Sequence, residues 1–363
     1  MRDATIEREE ARGGAVAAPE AVYLERRARF GVERDHAQRA RYAAANATVA
    51  LFLAALALII AGLAVHALLL TAAGILAGAG FVVAFRRQGQ ADERHRRAET
   101  LWRLSEEGLA RPRRDWKALP LRRPETPPPM DGAALDLDLL GHASLQHLLN
   151  TATTPPAQLR LQGWLLTPAT PATIRARQAA VAELAPDVEL REELTLFGLL
   201  SGMTQGGYDR FLEWAEGGPW LSRRPALLWA SRILPALALL AVAASLLRLT
   251  DLPLWLIFVA ANIVLAWTAG KEVERRIDAV AERQAVFQPY AAIFARVEGE
   301  AFQAPALRAI QSRLTADGMR ASVRMRHLGR IMAFADLRHS SLIFPPVQAL
   351  TLWSFHVLWA LEG

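Results

Sequence analysis

Three groups of side chains have types and spacings that could do chemistry. Asp136 and Asp138 stand two residues apart, as a carboxylate pair for a metal ion or for acid–base work would. No third ligand lies near them in the sequence, so a structural or capping role is the better reading. His142 and His147 are five apart, a poor metal spacing on a helix, and read as structural or solvated histidines. The third group is basic: Arg308, Arg313, Arg320, Arg324, Arg326, Arg330 and Arg338, opposed only by Asp317 and Asp336. Such a run fits a phosphate backbone, an anionic lipid surface or acidic helices of the same fold. Arg320, Arg324, Arg326 and Arg330 are its centre and the candidate nucleic-acid or lipid contacts.

Other chemistries are excluded. The 363 residues contain no cysteine, which rules out disulfides, thiolate catalysis, cysteine zinc sites and iron–sulfur clusters. Of the 42 basic residues only Lys117 and Lys271 are lysines. A P-loop needs G-x-x-x-x-G-K-[ST]. Lys117 follows Trp116; Lys271 follows Gly270 but precedes Glu272, with Leu265 in the place of the first glycine. The chain therefore carries no Walker A nucleotide site, and no catalytic, cofactor or metal residue is assigned.

The elements that position these groups include membrane segments. Apolar residues are 52% of the chain, and the excess is concentrated. Residues 43–85 are almost uncharged, twice the roughly 20 residues that cross a bilayer. They read as two spans, 44–64 and 67–85, turning near Gly62–His66. A second pair reads as 228–247 and 252–270, broken by Arg248, Thr250, Asp251 and Pro253. Arginines crowd the outer flanks of each pair, while the loops within the pairs hold only His66, or Arg248 with Asp251. The positive-inside rule then places both termini and residues 87–226 in the cytoplasm of a bacterial-type inner membrane. Gly74-x-x-x-Gly78 lets helices approach within the first hairpin, and Arg232 can snorkel from the third span. No acidic or histidine chain threads the spans, which argues against an ion transporter.

Outside the spans, residues 1–19 read as disordered and 20–42 as an amphipathic helix entering the membrane. Residues 87–110 read as a charged helix continuing the second span, and 112–129 as a proline-rich linker. The stretch 86–123 has 12 basic residues against 6 acidic, which an anionic inner leaflet explains. From residue 133 the pattern is helical. Leu145, Leu148 and Leu149 share a face; Thr154 caps a helix beginning at Pro155; Ile174, Val181 and Leu184 mark another, stopped at Pro186. Strand signals are nearly absent. Residues 271–340 read as long charged helices broken at Pro289, Pro305 and Gly318. The final run, 341–361, reads as a buried or interfacial helix. The expected divisions are 1–42, 43–86, 87–132, 133–226, 227–270 and 271–363.

Residues 135–194 resemble the core domain of the MutS mismatch-repair family. The matching text runs Leu135-Asp136-Leu137-Asp138-Leu139-Leu140-Gly141, then Ser144-Leu145, Leu148-Leu149-Asn150, Thr151 and Thr154. It continues with Gly163-Trp164-Leu165-Leu166 and Pro168, then Arg175, Arg177-Gln178, Val181 and Leu184, ending near Leu190-Arg191. The segment Glu106-Glu107-Gly108-Leu109-Ala110-Arg111, followed by Trp116, is similar to the approach segment of membrane-anchored MutS-like proteins. The resemblance implies an all-α fold: two transmembrane hairpins with a cytoplasmic helical core and lever. It implies structural roles for Asp136, Asp138, Gly141, Ser144, Leu145, Asn150, Thr154, Trp164, Leu165, Arg177 and Gln178. Arg177-Gln178 is expected to be a buried hydrogen-bond anchor.

The departures matter as much. Pro155-Pro156 stands where the family has a glycine. The family's C-terminal ATPase, with its ATP and magnesium, has no P-loop here, and 1–42 is too short for a mismatch-reading domain. The expectation is a non-enzymatic core and lever, truncated before an ATPase module through which the family dimerises. Its implied partners are membrane lipid and mismatched DNA. The alternative is a membrane scaffold or signalling protein with no DNA role.

Overall fold

The computed structural model describes residues 19–123, 134, 136–249, 253–281, 284–316, 318–335 and 344–362. Residues 1–18 of the stretch read as disordered, 124–129 of the proline-rich linker, and Leu135, Thr250, Asp251, Asp317, Asp336 and Arg338 lie outside these residues. Every regular element described is a helix, so the fold is all-α as expected. Among the described residues, four helices are long and apolar enough to cross a membrane, the mark of a membrane protein. The chain divides into two compact units: the first takes the described residues up to Arg122 and those from 134 to Asn150, the second takes Arg123 and the residues from Thr151 on.

The first unit is built on α1 (Pro19–Ala64) and α2 (Leu68–Arg113), 46 residues each. At 1.5 Å per residue each is about 69 Å long. Both run unbroken from an apolar half into a charged half, and they turn through 65–67. Pro112 sits inside the last turn of α2, so the helix reaches further than the linker reading allowed.

The two helices pair in a fixed antiparallel register. Ion pairs join Glu20 to Arg113, Arg27 to Glu106, Arg34 to Glu99 (3.8 Å) and Arg41 to Asp92 (2.7 Å). Each rung steps seven residues along α1 and seven back along α2. The same register continues through the apolar half, where the tilted rings of Phe52 and Phe81 meet with centroids 5.6 Å apart. Thr48, Ala55 and Gly62 prolong the row of Arg27, Arg34 and Arg41, and all three are buried. A sustained seven-residue seam is the signature of a left-handed two-helix coil.

Small residues let the backbones meet within that seam. A Cβ on Gly74 would stand 2.6 Å from Ile59 Cγ1 and 2.9 Å from the Ile59 backbone N. A Cβ on Gly62 would stand 2.6 Å from the Thr71 N. Gly78, by contrast, faces open space, so only the first glycine of the G-x-x-x-G pair serves the packing. The remaining apolar side chains, including Leu53, Ile60, Ile75 and Val82, point outward and are more than half exposed. An outward apolar belt of that extent belongs in lipid. The rungs are too exposed to add much stability; they select register.

The second unit holds the other two candidate spans, α8 (Pro225–Leu246) and α9 (Trp255–Ala281). α9 is also continuous, and its charged end buries Val273 and Ile277 in a core with Leu221, Phe287, Met332, Phe355 and Leu358. Around it lie α4 (Pro155–Leu166), α5 (Pro171–Leu184), α6 (Val188–Ser201), α7 (Gln205–Glu216), α10 (Gln284–Gly299), α11 (Pro305–Arg313) and α12 (Ala321–Ala335). Pro289 lies inside α10 rather than breaking it. Pro305 and Gly318 do mark ends, Gly318 with φ +76°. The final run is two helices, α13 (Phe344–Thr351) and α14 (Trp353–Glu362), broken at Leu352 with φ +50°.

Carboxylates from distant helices cap these elements. Glu183 accepts from the N–H groups of Gln303 (2.7 Å) and Ala304 (2.6 Å) at the start of α11. Glu298 accepts from the Ser322 N–H (2.9 Å) and hydroxyl (2.6 Å) at the start of α12. Glu362 accepts from the N–H groups of Trp220, Leu221 and Ser222 at 2.8–2.9 Å, just before α8. Burial pushes the Tyr290 phenol up to about 12, with Tyr208 adding to the rise; its hydroxyl has no partner among the described residues.

Two outcomes follow. The chain lacks cysteine, so a pair introduced by Arg34→Cys with Glu99→Cys is unique. It is expected to crosslink on oxidation, whereas Arg34→Cys with Asp92→Cys, one heptad out of register, is not. For Tyr290, the unfolded phenol ionises near 10 and the folded one near 12, so stability falls as pH rises through that window. Tyr290→Phe is expected to remove that alkaline fall and to gain roughly 1 kcal/mol at neutral pH in thermal melts, by deleting the unpaired hydroxyl.

Candidate functional site

The residues of the 135–191 motif separate into two places. Asp136, Asp138, Gly141, Ser144, Leu145 and Asn150 belong to the first unit; Thr154, Trp164, Leu165, Arg177 and Gln178 belong to the second.

In the first unit, the loop 138–150 is docked on the end of α2. Gly141 takes φ +105°, with Asp138 and Ala143 also at positive φ, so the loop turns tightly. Ser144 caps α3 (Leu145–Leu149), accepting from the His147 N–H at 3.2 Å. The buried face of α3 is Gln146 and His147, while Leu145 and Leu149 are exposed. That reverses the face drawn from leucine spacing, because the surface α3 meets is polar. His147 Nδ1 accepts from the Ala143 N–H (3.1 Å), and its Nε2 donates to the Leu119 carbonyl (3.0 Å). That pairing fixes a neutral tautomer, a structural histidine. Asn150 Nδ2 donates to the Arg122 carbonyl (2.7 Å), and Arg111 Nε donates to the Leu148 carbonyl (2.9 Å). Beneath them Arg122 and Glu107 form a bidentate pair at 2.8 and 2.6 Å, each side chain less than 15% exposed. Asp136 and Asp138 are exposed. No cluster of three or more metal-ligating side chains occurs among the described residues.

In the second unit Thr154 stands at the N-cap of α4, with Pro155 in the first turn. The Thr153 side chain presses on α6 there: a Cβ on Gly198 would collide with its hydroxyl. Arg177 lies 4.2 Å over the Trp164 ring. This cation–π stack, worth about 0.5–1 kcal/mol at such exposure, replaces the expected buried hydrogen-bond anchor, and Gln178 is exposed. Trp164, Ile174, Arg177, Gln178 and Val181 border a shallow apolar groove. Leu165 is half-buried.

The arginine group is on α11, α12 and the turn between them. Arg308, Arg313, Arg320, Arg324, Arg326 and Arg330 are all exposed. α12 buries Ser322, Met332 and Ala335 and contains no acidic residue. On its outer face Val323, His327 and Phe334 form a line, with Arg320 and Arg324 along one edge and Arg326 and Arg330 along the other. Phe334 is 65% exposed. Arg320, Arg326 and Arg330 have no carboxylate partner among the described residues. An apolar line between cationic edges suits a membrane surface, and the edges alone suit phosphates.

No family model, curated protein or solved structure matches this chain.

Several structural residues escaped the sequence reading. Glu107 stood out only within the Glu106–Arg111 segment and Arg122 only as a charge in a charged stretch, and nothing local paired them. Glu362 and Asn262, the latter fully buried in α9, carried no local signal at all.

The Glu107–Arg122 pair generates a sharp expectation. Glu107→Ala or Arg122→Ala leaves a buried charge alone and is expected to cost about 3–5 kcal/mol. Faster protease cleavage within 138–150 and a lowered melting temperature would report it. Removing both charges with Glu107→Leu and Arg122→Met is expected to cost less than either single change.

Proposed function

We propose that this chain is a membrane-anchored helical lever of the MutS-like kind, without catalysis of its own. The observation that carries this reading is the α1–α2 rod. One uninterrupted seam joins an apolar half to a charged half, so displacement or torque at one end reaches the other without an intervening loop. The ordered motif from Asp136 to Arg191 supports the family assignment. Its segments are helices starting at Ser144, Thr154 and Thr170 caps. In this reading both hairpins lie in a bacterial-type inner membrane with the termini and helical core in the cytoplasm. Nucleotide chemistry resides on a separate ATPase module, through which copies of the chain pair.

A second reading is favoured by the α12 arginines: they contact duplex DNA as the resemblance implies. The two readings separate on salt dependence. Neutralising Z phosphates gives log K a slope of about −0.9Z against log salt. If the arginines hold DNA, changing Arg320, Arg324, Arg326 and Arg330 together to alanine is expected to flatten that slope by about 3–4 in fluorescence anisotropy with labelled duplex and detergent-solubilised full chain. Absence of duplex binding even at low salt removes the DNA role and leaves the membrane lever.

A further inference from the structure

We propose that the Phe344–Leu352 segment lies within the bilayer at mid-span height, in contact with the acyl phase, and is latched there by Asn262. The inference rests on α8 and α9 crossing the membrane.

Three contacts fix the height of the final segment along the second hairpin. Glu362 accepts from the backbone of Trp220, Leu221 and Ser222, before α8 begins. Trp359 lies under the Arg232 guanidinium, 4.4 Å from Cζ to ring centroid. Arg232 is seven residues into α8, about 10 Å along its axis. Asn262 Nδ2 donates to the carbonyls of Ala349 (3.0 Å) and Leu350 (3.3 Å). Asn262 is seven residues after Trp255 and eight before Gly270, about 10–12 Å from either end of the apolar part of α9. Going back from Glu362, the chain therefore climbs from the membrane entrance to the middle of the apolar layer.

The chemistry of the break agrees with that depth. A helix end leaves carbonyls without partners, and in hydrocarbon no water replaces them. Here α13 stops at Thr351 and Leu352 turns to positive φ. The carbonyls of Ala349 and Leu350 are among those freed, and Asn262 takes both. Gln348 completes the joint: its Oε1 accepts from the Ser354 N–H (3.0 Å) and hydroxyl (3.2 Å), capping α14. Leu352 itself is fully buried. A polar side chain at mid-span is costly unless protein satisfies it; Asn262 is 0% exposed, its Nδ2 is spent on these two carbonyls, and its Oδ1 has no partner among the described residues. Residues 341–361 carry no formal charge, and α13 has only eight residues, too few to cross. Pro345 and Pro346 point away from the protein, so lipid is what covers them.

Single cysteines test this in proteoliposomes of the full chain, using a charged, membrane-impermeant maleimide added to both faces. Arg313→Cys is expected to label quickly and Leu240→Cys to stay protected until SDS is added. Pro346→Cys, exposed on the protein, is expected to be at least tenfold slower than Arg313→Cys and to label fully in SDS. Pro346→Cys reacting as fast as Arg313→Cys, with Leu240→Cys still protected, would overturn the inference and leave the spans standing. Rapid labelling of Leu240→Cys would instead overturn the spans. Adding Asn262→Leu is expected to raise Pro346→Cys labelling at least tenfold while Leu240→Cys stays protected; an unchanged rate would remove the latch.

Discussion

A peptide group in hydrocarbon must find its hydrogen-bond partner within the protein, because water is not there to serve. Much of this molecule can be traced to that rule. α1, α2 and α9 pass from apolar to charged composition with no interruption, so the layer boundary falls in mid-helix, where every peptide is already paired. The described loop 65–67 lies at the far end of an apolar pair. The break at Leu352 is the exception, and it recruits Asn262 and Gln348 to supply what the helix gives up.

Outside the apolar layer the same requirement is met by long-range carboxylates. Glu183, Glu298 and Glu362 each pair with N–H groups at or near the start of an element at least 24 residues away. A cap contributed by the residue next door stabilises one helix. A cap contributed from another helix also sets the distance and angle between two elements. The helical domain of the second unit is thus held by its polar termini as well as by the Phe287–Met332–Phe355 core.

The all-α class and the four apolar helices were legible because hydropathy and period are local properties. Pro155 and Pro305 at helix starts and Gly318 at a turn were legible for the same reason. Pro289 misled: a proline at that position removes one backbone hydrogen bond and strains the preceding turn, but the packing of α10 against α6 and α12 outweighs that cost. The leucines of α3 misled because burial there is decided by the polar surface beneath, and His147 and Gln146 are the residues that match it. The Arg177–Trp164 stack was half visible: both residues were singled out, but neither spacing nor type shows that α4 and α5 bring them together. Pairings such as Glu107 with Arg122, or Asn262 with Ala349, depend on separations that no local window spans.

The ladder on α1 and α2 has one rung of opposite polarity. Three rungs place arginine on α1; the outermost places Glu20 there and Arg113 opposite. A uniform ladder would tolerate slippage by a heptad, since each arginine would simply meet the next carboxylate. With one rung reversed, sliding one way sets Glu20 against Glu106, and sliding the other way sets Arg27 against Arg113. Both misalignments confront like charges, so the reversed rung acts as a detent, giving the rod one admissible length.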